Sequence, residues 1–312
     1  MNKQDIKVIF MGTPKIAATV LKGIIEDGYN VVLVVTNVDK KVGRKGILTP
    51  SEVKQVALEN NIEVFQPERI RLDNKRIQEV NADVLITCAY GQIVPSEVLN
   101  APRLGCINVH GSLLPTLRGA SPIQSALFLG LKETGVTIME MIDRMDAGRM
   151  YAKKVVQISE DENYTSLYDK IAEAGTSILL EMLPSYLDGS NKGIEQNEEE
   201  ATYCSKINPE DEHLSLEDDN DTFINKVKGL SYTPGGYVYL DGKKLKIYAC
   251  RNYSSEVEVE VGKFIKKNKS TLVLQLAHGQ VELLELQKEA KNKVDSKSFM
   301  NGERNLEDLK VN

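Results

Sequence analysis

The chain has 312 residues, 41% of them hydrophobic and 27% charged, with a formal net charge of −6. That length exceeds one usual core and predicts two domains, and the acidic balance excludes a protein that coats nucleic acid by charge alone. No apolar run approaches the ~20 residues of a membrane helix, and Met1-Asn2-Lys3-Gln4-Asp5 leads straight into a strand without a signal-peptide core, so a cytoplasmic protein is expected.

In chain order, residues 7–11, 31–36, 84–88 and 106–109 are short apolar, β-branched runs separated by helical stretches, the pattern of a parallel sheet wound with helices on both faces. Thr13-Pro14 and Thr49-Pro50 each read as an N-cap followed by proline at the first helical position, with Thr49 and Glu52 forming a capping box. Gly12 has no partner glycines, so Gly12-Thr13-Pro14 is neither a dinucleotide nor a nucleoside triphosphate loop. Ser121-Pro122-Ile123-Gln124 reads as another capped helix start. Residues 135–141 alternate as a strand that delivers Asp143, Arg144, Met145 and Asp146 to a loop. A helix is expected over 165–187, from the spacing of Leu167, Ile171, Ala174, Ile178 and Met182.

The polar stretch that follows carries too few apolar residues to pack by itself. Beyond it come a helix over 222–228 and short strands over 237–240, 245–249, 257–264, 271–276 and 281–286. The expected architecture is therefore α/β: a Rossmann-like, doubly wound, mostly parallel sheet over residues 1–189, a linker over 190–206 and a small OB-like β-barrel over 207–312. Charge is uneven: residues 195–221 are acidic, whereas 226–269 hold ten Lys or Arg against four Asp or Glu. This basic part reads either as an RNA-facing module or as a solvated lysine-rich surface.

Chemistry concentrates where an apolar run ends in Asn108-Val109-His110 and opens into Gly111-Ser112-Leu113-Leu114-Pro115. An amide can donate to a developing oxyanion, and an imidazole can hold or pass a proton near neutral pH. Taken alone, Asn-x-His is equally a strand-end histidine satisfied by backbone, and Asp146 a turn-forming carboxylate. Carboxyl ends of strands line the site in such sheets, and Gly12, Tyr90 and His110 all fall there. Tyr90 also reads as a packed aromatic with its hydroxyl in water. Lys40, Lys41, Arg44 and Lys45 crowd one glycine-containing loop, either a phosphate-seeking device or an exposed turn. Cys88, Cys106, Cys204 and Cys250 lack metal-ligand spacing with the three histidines, so reduced thiols and no metal are expected.

Asn108 through Pro115, Arg118-Gly119-Ala120, Gly135-Val136-Thr137 and Asp146-Ala147-Gly148, in this order and approximate spacing, resemble the folate-dependent formyltransferase family. Phe10-Met11-Gly12-Thr13-Pro14 looks like that family's first strand and turn, and Ala89-Tyr90-Gly91 like its folate-pocket segment. The resemblance spans nearly the whole chain. Gly43-Arg44 through Pro50-Ser51-Glu52-Val53-Lys54 points to the branch whose acceptor is initiator methionyl-tRNA.

The resemblance implies transfer of a formyl group from 10-formyltetrahydrofolate to the α-amine of that aminoacylated tRNA, for translation initiation, with neither metal nor protein nucleophile. Asn108 and His110 would stabilise the oxyanion, and Asp146 would orient His110 and help move the amine's proton. Cys88, Ala89, Tyr90, Gly91 and Asp143 would contact the folate. Gly12, Ser112, Leu113, Leu114, Pro115, Arg44 and Lys45 would contact the acceptor, and the protein is expected to be a monomer. Departures from the family pattern lie at Glu52, where proline is common, at Ser231 to Gly235 and at Leu286 to Asn292. Two rivals stand beside this reading: a formyltransferase for an amino-sugar nucleotide, and a noncatalytic RNA- or folate-binding module.

Overall fold

The computed structural model describes residues 2–43, 46–303 and 305–312. Its elements begin with β1 (Lys7–Gly12), α1 (Lys15–Glu26), β2 (Asn30–Val35), β3 (Lys40–Val42), β4 (Ile47–Thr49), α2 (Glu52–Glu59), β5 (Val64–Phe65), α3 (Lys75–Glu79), β6 (Val84–Cys88) and α4 (Ser96–Leu99). There follow β7 (Cys106–His110), β8 (Arg118–Gly119), α5 (Pro122–Phe128), β9 (Glu133–Glu140), β10 (Met150–Gln157), α6 (Tyr164–Leu187) and β11 (Tyr203–Cys204).

The main sheet has the order β10-β9-β7-β6-β1-β2-β5. It is parallel from β7 to β5, and β9 and β10 are antiparallel additions. Helices cover both faces, so β1 and β6 are buried throughout their apolar runs and show no alternation. β10 is the contrary case: an edge strand whose exposed Lys153 guards against further pairing. The chain leaves β1 toward β2 and returns on the other side at β6, which places the crevice at the carboxyl ends of β1 and β6.

Three helix starts differ from the sequence reading. Thr49 is held extended at the end of β4, opposite Lys40, so Ser51 caps α2 by accepting a hydrogen bond from the Lys54 N–H at 3.1 Å. The Thr13 hydroxyl donates to the Tyr90 carbonyl at 3.2 Å instead of capping α1, whose N-cap is Pro14. Ser121 precedes α5 but makes no side-chain cap, and Gln124 hydrogen-bonds Tyr164.

Two compact units divide the chain: Met1–Gly119 with Glu133–Gln157 and Tyr168–Cys204, and Ala120–Lys132 with Ile158–Leu167 and Ser205–Asn312. The second unit thus draws in two segments that the sequence reading placed within residues 1–189. The cause is packing against α7 (Asn220–Leu230) and the residue after it. A Cβ on Gly229 would stand 2.4 Å from the Phe128 ring, and the Thr165 N–H donates to the Ser231 carbonyl at 3.1 Å.

The rest of the second unit is β12 (Gly236–Leu240), β13 (Lys243–Ser254), β14 (Phe264–Lys266), β15 (Leu272–Leu276), β16 (Gly279–Lys288), β17 (Val294–Asp295) and α8 (Ser296–Gly302). The antiparallel order is β12-β13-β16-β15-β14, with β17 beside β16. Residues 310–312 join the two outer strands into a barrel. Tyr239 and Asn312 exchange N–H···O bonds of 2.7 and 3.0 Å, while the Val311 N–H reaches the Gly262 carbonyl at 2.9 Å. The interior is apolar, including Val238, Leu245, Ile247, Leu272, Leu274, Val281, Leu283 and Val311. The strand expected over 257–264 is absent before Phe264. Val257 and Val259 face solvent, and the N–H groups of Glu258 and Val259 donate to the Gln275 side chain. Among the described residues, no helix is long and apolar enough to cross a membrane.

Candidate active site

At the carboxyl end of β7, Asn108 lies opposite Thr87 of β6, whose hydroxyl donates to Asn108 Oδ1 at 2.7 Å. That bond fixes the amide's orientation and leaves Nδ2 without a partner among the described residues. Two residues on, His110 is buried, with Nε2 3.0 Å from the Leu117 carbonyl. A carbonyl only accepts, so Nε2 carries the proton and the neutral ring presents a lone pair at Nδ1. Asp146 Oδ2 faces this nitrogen at 3.8 Å. With the ring neutral, its Nδ1 lone pair and the Asp146 carboxylate are facing acceptors; a proton gained at Nδ1 turns them into an ion pair.

The turn after His110 is pinned from β9. The Thr137 hydroxyl donates to the Ser112 carbonyl at 2.8 Å and accepts from the Leu114 N–H at 3.0 Å. Ser112, Leu114 and Pro115 are buried, and the Ser112 hydroxyl is spent on the Thr116 carbonyl at 2.6 Å. Leu113 is half-buried. The side chains of Ser112, Leu114 and Pro115 therefore build the turn.

Asp146 adopts a left-handed backbone, φ 47°, and its Oδ2 accepts from the Gly119 N–H at 2.8 Å. Gly119 itself has φ 118°, and a Cβ there would lie 2.1 Å from the Cys204 carbonyl oxygen. The neighbouring Arg118 is fully buried and is bound by Gln196, Glu198 and Tyr203. Glu198 also accepts from exposed Arg144 of the Asp143 to Asp146 loop at 2.8 Å.

Ala89 and Gly91 both have positive φ, 47° and 87°, and turn the chain sharply beyond β6. Between them Tyr90 points inward. Its hydroxyl is buried without a partner among the described residues, whereas the alternative reading of a packed aromatic had it in water, and burial pushes the phenol up to about 12. The ring belongs to a buried apolar cluster that includes Ile9, Leu33 and Leu85. The Tyr90 carbonyl is gripped by the Thr13 hydroxyl and by Asn37 Nδ2 at 2.8 Å, and Gln92 holds Asn37 Oδ1 at 2.8 Å. Burial raises the Cys88 thiol to about 12, so it stays protonated. Gly12, opposite Cys88 in register, meets a packing demand: a Cβ would stand 2.5 Å from Ala17 Cβ. Asp143 is exposed and accepts from the Ser96 hydroxyl at 3.0 Å.

The expected basic loop is a β3–β4 hairpin with Lys40 and Lys41 exposed; Arg44 and Lys45 lie outside the described residues. At its base Asp39 accepts from Gln66 and Lys54, at 2.8 and 2.7 Å, and these two bonds hold its carboxyl below the usual range.

The structure thus gathers Asn108, His110 and Asp146 and places Gly12 and the side chains of Ser112, Leu114 and Pro115 in packing, with Leu113 half-buried. Sequence reasoning missed Thr87, Asn37 and Gln196. A hydroxyl inside the otherwise apolar Val84 to Cys88 run was the available sign of Thr87. Gln196, in a polar stretch, gave none.

Residues 5–183 match the formyl transferase family and residues 206–304 match the formyl transferase C-terminal domain. The chain belongs to the formyl transferase family. Relatives named methionyl-tRNA formyltransferase align along almost its entire length. The one from Streptococcus agalactiae serotype III is 42% identical over 305 residues, covering 96% of this chain and 97% of the relative. That from Lactobacillus gasseri is 39% identical over 299 residues, covering 95% of each chain.

Solved structures share the fold at lower identity. The sugar 3N-formyl transferase WlaRD has a TM-score of 0.67 at 19% identity, covering 92% of this chain and 99% of its own. A variant of HypX from Aquifex aeolicus has a TM-score of 0.66 at 17% identity over 95% of this chain, which spans about half (47%) of HypX.

Proposed function

We propose that the protein transfers the formyl group of 10-formyltetrahydrofolate to the α-amine of methionyl initiator tRNA, as a cytoplasmic enzyme of translation initiation. The convergence of Asn108, His110 and Asp146 beside the β6 and β7 strand ends carries the reading. Similarity along nearly the full length of relatives named methionyl-tRNA formyltransferase supports the acceptor.

In this reaction the amine adds to the formyl carbon, a C–N bond forms, and the bond to the folate's N10 breaks. Asn108 Nδ2 is the donor for the oxyanion that appears on the formyl oxygen, preset by Thr87 so that no reorganisation is needed. His110 Nδ1 takes up the proton lost by the amine, and Asp146 stabilises the resulting imidazolium. The same proton then passes to the leaving nitrogen. Ala89 to Gly91 present backbone edges to the folate, held rigid by Thr13 and Asn37, and Asp143 lies on the loop beside them. Catalysis is assigned to residues 1–189. The barrel over 207–312 is assigned to the tRNA, joined by residues 190–206, because its lysine-rich segment suits phosphates.

Formyl transfer from 10-formyltetrahydrofolate tests the reading, with methionyl initiator tRNA, methionyl elongator tRNA and an amino-sugar nucleotide as competing acceptors. Preference for the initiator is expected; preference for the sugar rejects it. Arg44 is assigned to a base edge and Lys45 to the acceptor's phosphates. Arg44→Ala should raise KM for the initiator and reduce its preference over the elongator by about 10-fold, a loss within the roughly 1 to 3 kcal/mol of a base contact. Lys40→Ala and Lys41→Ala should weaken both tRNAs alike and reduce the salt slope. Equal behaviour of Arg44→Ala and wild type across a salt series would return the hairpin to a solvated turn.

A further inference from the structure

Asp146 is the member of the proposed trio with the least support of its own: it sits at the end of a loop, in a left-handed backbone that is uncommon outside glycine, although Asp tolerates it better than most. What holds it comes from a distant segment. Gln196 is almost fully buried, and its amide is used at every hydrogen-bonding position. Nε2 donates to the carbonyls of Asp146 and Gly148, both at 2.8 Å. Oε1 accepts from Arg118 Nε and Nη2, at 3.0 and 2.8 Å.

The guanidinium of Arg118 is equally committed. Beyond its two bonds to Gln196, it donates to Glu198 through Nη1 and Nη2 and to the Tyr203 hydroxyl through Nη1, so five N–H groups meet five acceptor contacts. Next along the chain, the Gly119 N–H holds Asp146 Oδ2. The carboxylate is thus gripped at its side chain by residue 119 and at its backbone by residue 196, with Arg118 joining the two grips.

We infer that Gln196 is a positioning residue for the formyl transfer, an amide adaptor that ties the Asp146 turn to Arg118 and so sets the carboxylate against His110 Nδ1. This rests on the reading that gives Asp146 a part in the chemical step. Neither the family match over residues 5–183 nor the polar character of the segment points to residue 196. The geometry does. An amide is required, since only a side chain offering two donors on one atom and an acceptor on the next serves two carbonyls and a guanidinium together.

Two variants of the full chain test it. Gln196→Glu keeps an acceptor for Arg118 and removes both donors to the Asp146 turn, whereas Gln196→Leu removes all four bonds without adding charge. Both should lower kcat about 10²-fold, the scale of a misplaced catalytic group, and leave KM for methionyl-tRNA unchanged. In an Asp146→Asn background neither should lower kcat further, because the adaptor acts through that carboxylate.

A second readout needs no substrate. The Gly119 N–H donates to Asp146 Oδ2, so its backbone amide resonance, followed by NMR in the full chain, reports the seat of the carboxylate. In Gln196→Leu that resonance should shift in the same direction as in Asp146→Asn, because the carboxylate leaves its place. Wild-type kcat with Gln196→Glu, losses that multiply with Asp146→Asn, or an unmoved Gly119 amide would each overturn the inference. A wild-type enzyme inert toward methionyl-tRNA would instead sink the proposed function, and the Gly119 resonance would still decide the role of Gln196.

Discussion

His110→Ala is expected to lower kcat for formyl transfer by about 10³-fold while changing KM for methionyl-tRNA little, the range typical for loss of a general acid–base. The fold should tolerate the change. His110 is buried and donates to the Leu117 carbonyl, and the deletion leaves that carbonyl with a long 3.4 Å approach from the Ser112 hydroxyl, whose proton serves Thr116. A destabilisation of about 1 to 3 kcal/mol, the cost of a lost buried hydrogen bond, is the expected limit. Single-turnover rates with saturating 10-formyltetrahydrofolate and charged tRNA provide the measurement. A folded variant with near-normal turnover would remove His110 from the chemical step.

Asn108→Asp is expected to be comparably severe, through charge instead of proton transfer. The Thr87 hydroxyl can still donate to one carboxylate oxygen, so the side chain keeps its seat. The other oxygen then stands where Nδ2 had offered its N–H groups, facing a developing negative charge. A donor in such a place is worth about 10²- to 10³-fold in rate, and replacing it by an anion adds repulsion. The loss should ease as pH falls and the new carboxyl becomes protonated. Wild-type activity of Asn108→Asp at neutral pH would leave Asn108 as a strand-end residue. Thr87→Val, which frees the amide to rotate, should show a smaller defect of the same kind.

The parts of the molecule readable in sequence are those where one physical demand fixes the residue type. Burial on both faces leaves β1, β6 and β7 as apolar runs, and Asn108, His110 and Asp146 were singled out by motifs that resemble the family's, since each taken alone also had a structural reading. What stayed hidden depends on partners far away in the chain. Thr49 reads as a helix cap until its pairing with Lys40 holds it extended. Val257 and Val259 alternate like a strand, yet the Gln275 side chain takes their segment's N–H groups. Gln196 lies in a polar stretch that looks like a tether, although Ile194 bridges Met150 and Gln196 itself is buried. β10 escapes because an edge strand needs only one apolar face.

The interleaving of the two compact units bears on how such an enzyme can be taken apart or recombined. The barrel's companions are encoded within the first unit's stretch of chain: α5 lies between strands of the first sheet, and residues 158–167 follow its last strand, β10. A single cut near residue 205 therefore yields neither half intact: the downstream piece carries α7 without Phe128 beside Gly229, and the upstream piece carries α5 with Phe128 deprived of that surface. Both fragments would present oily patches and tend to self-associate. Exchanging the second unit for another accordingly requires replacement of three separate stretches of chain.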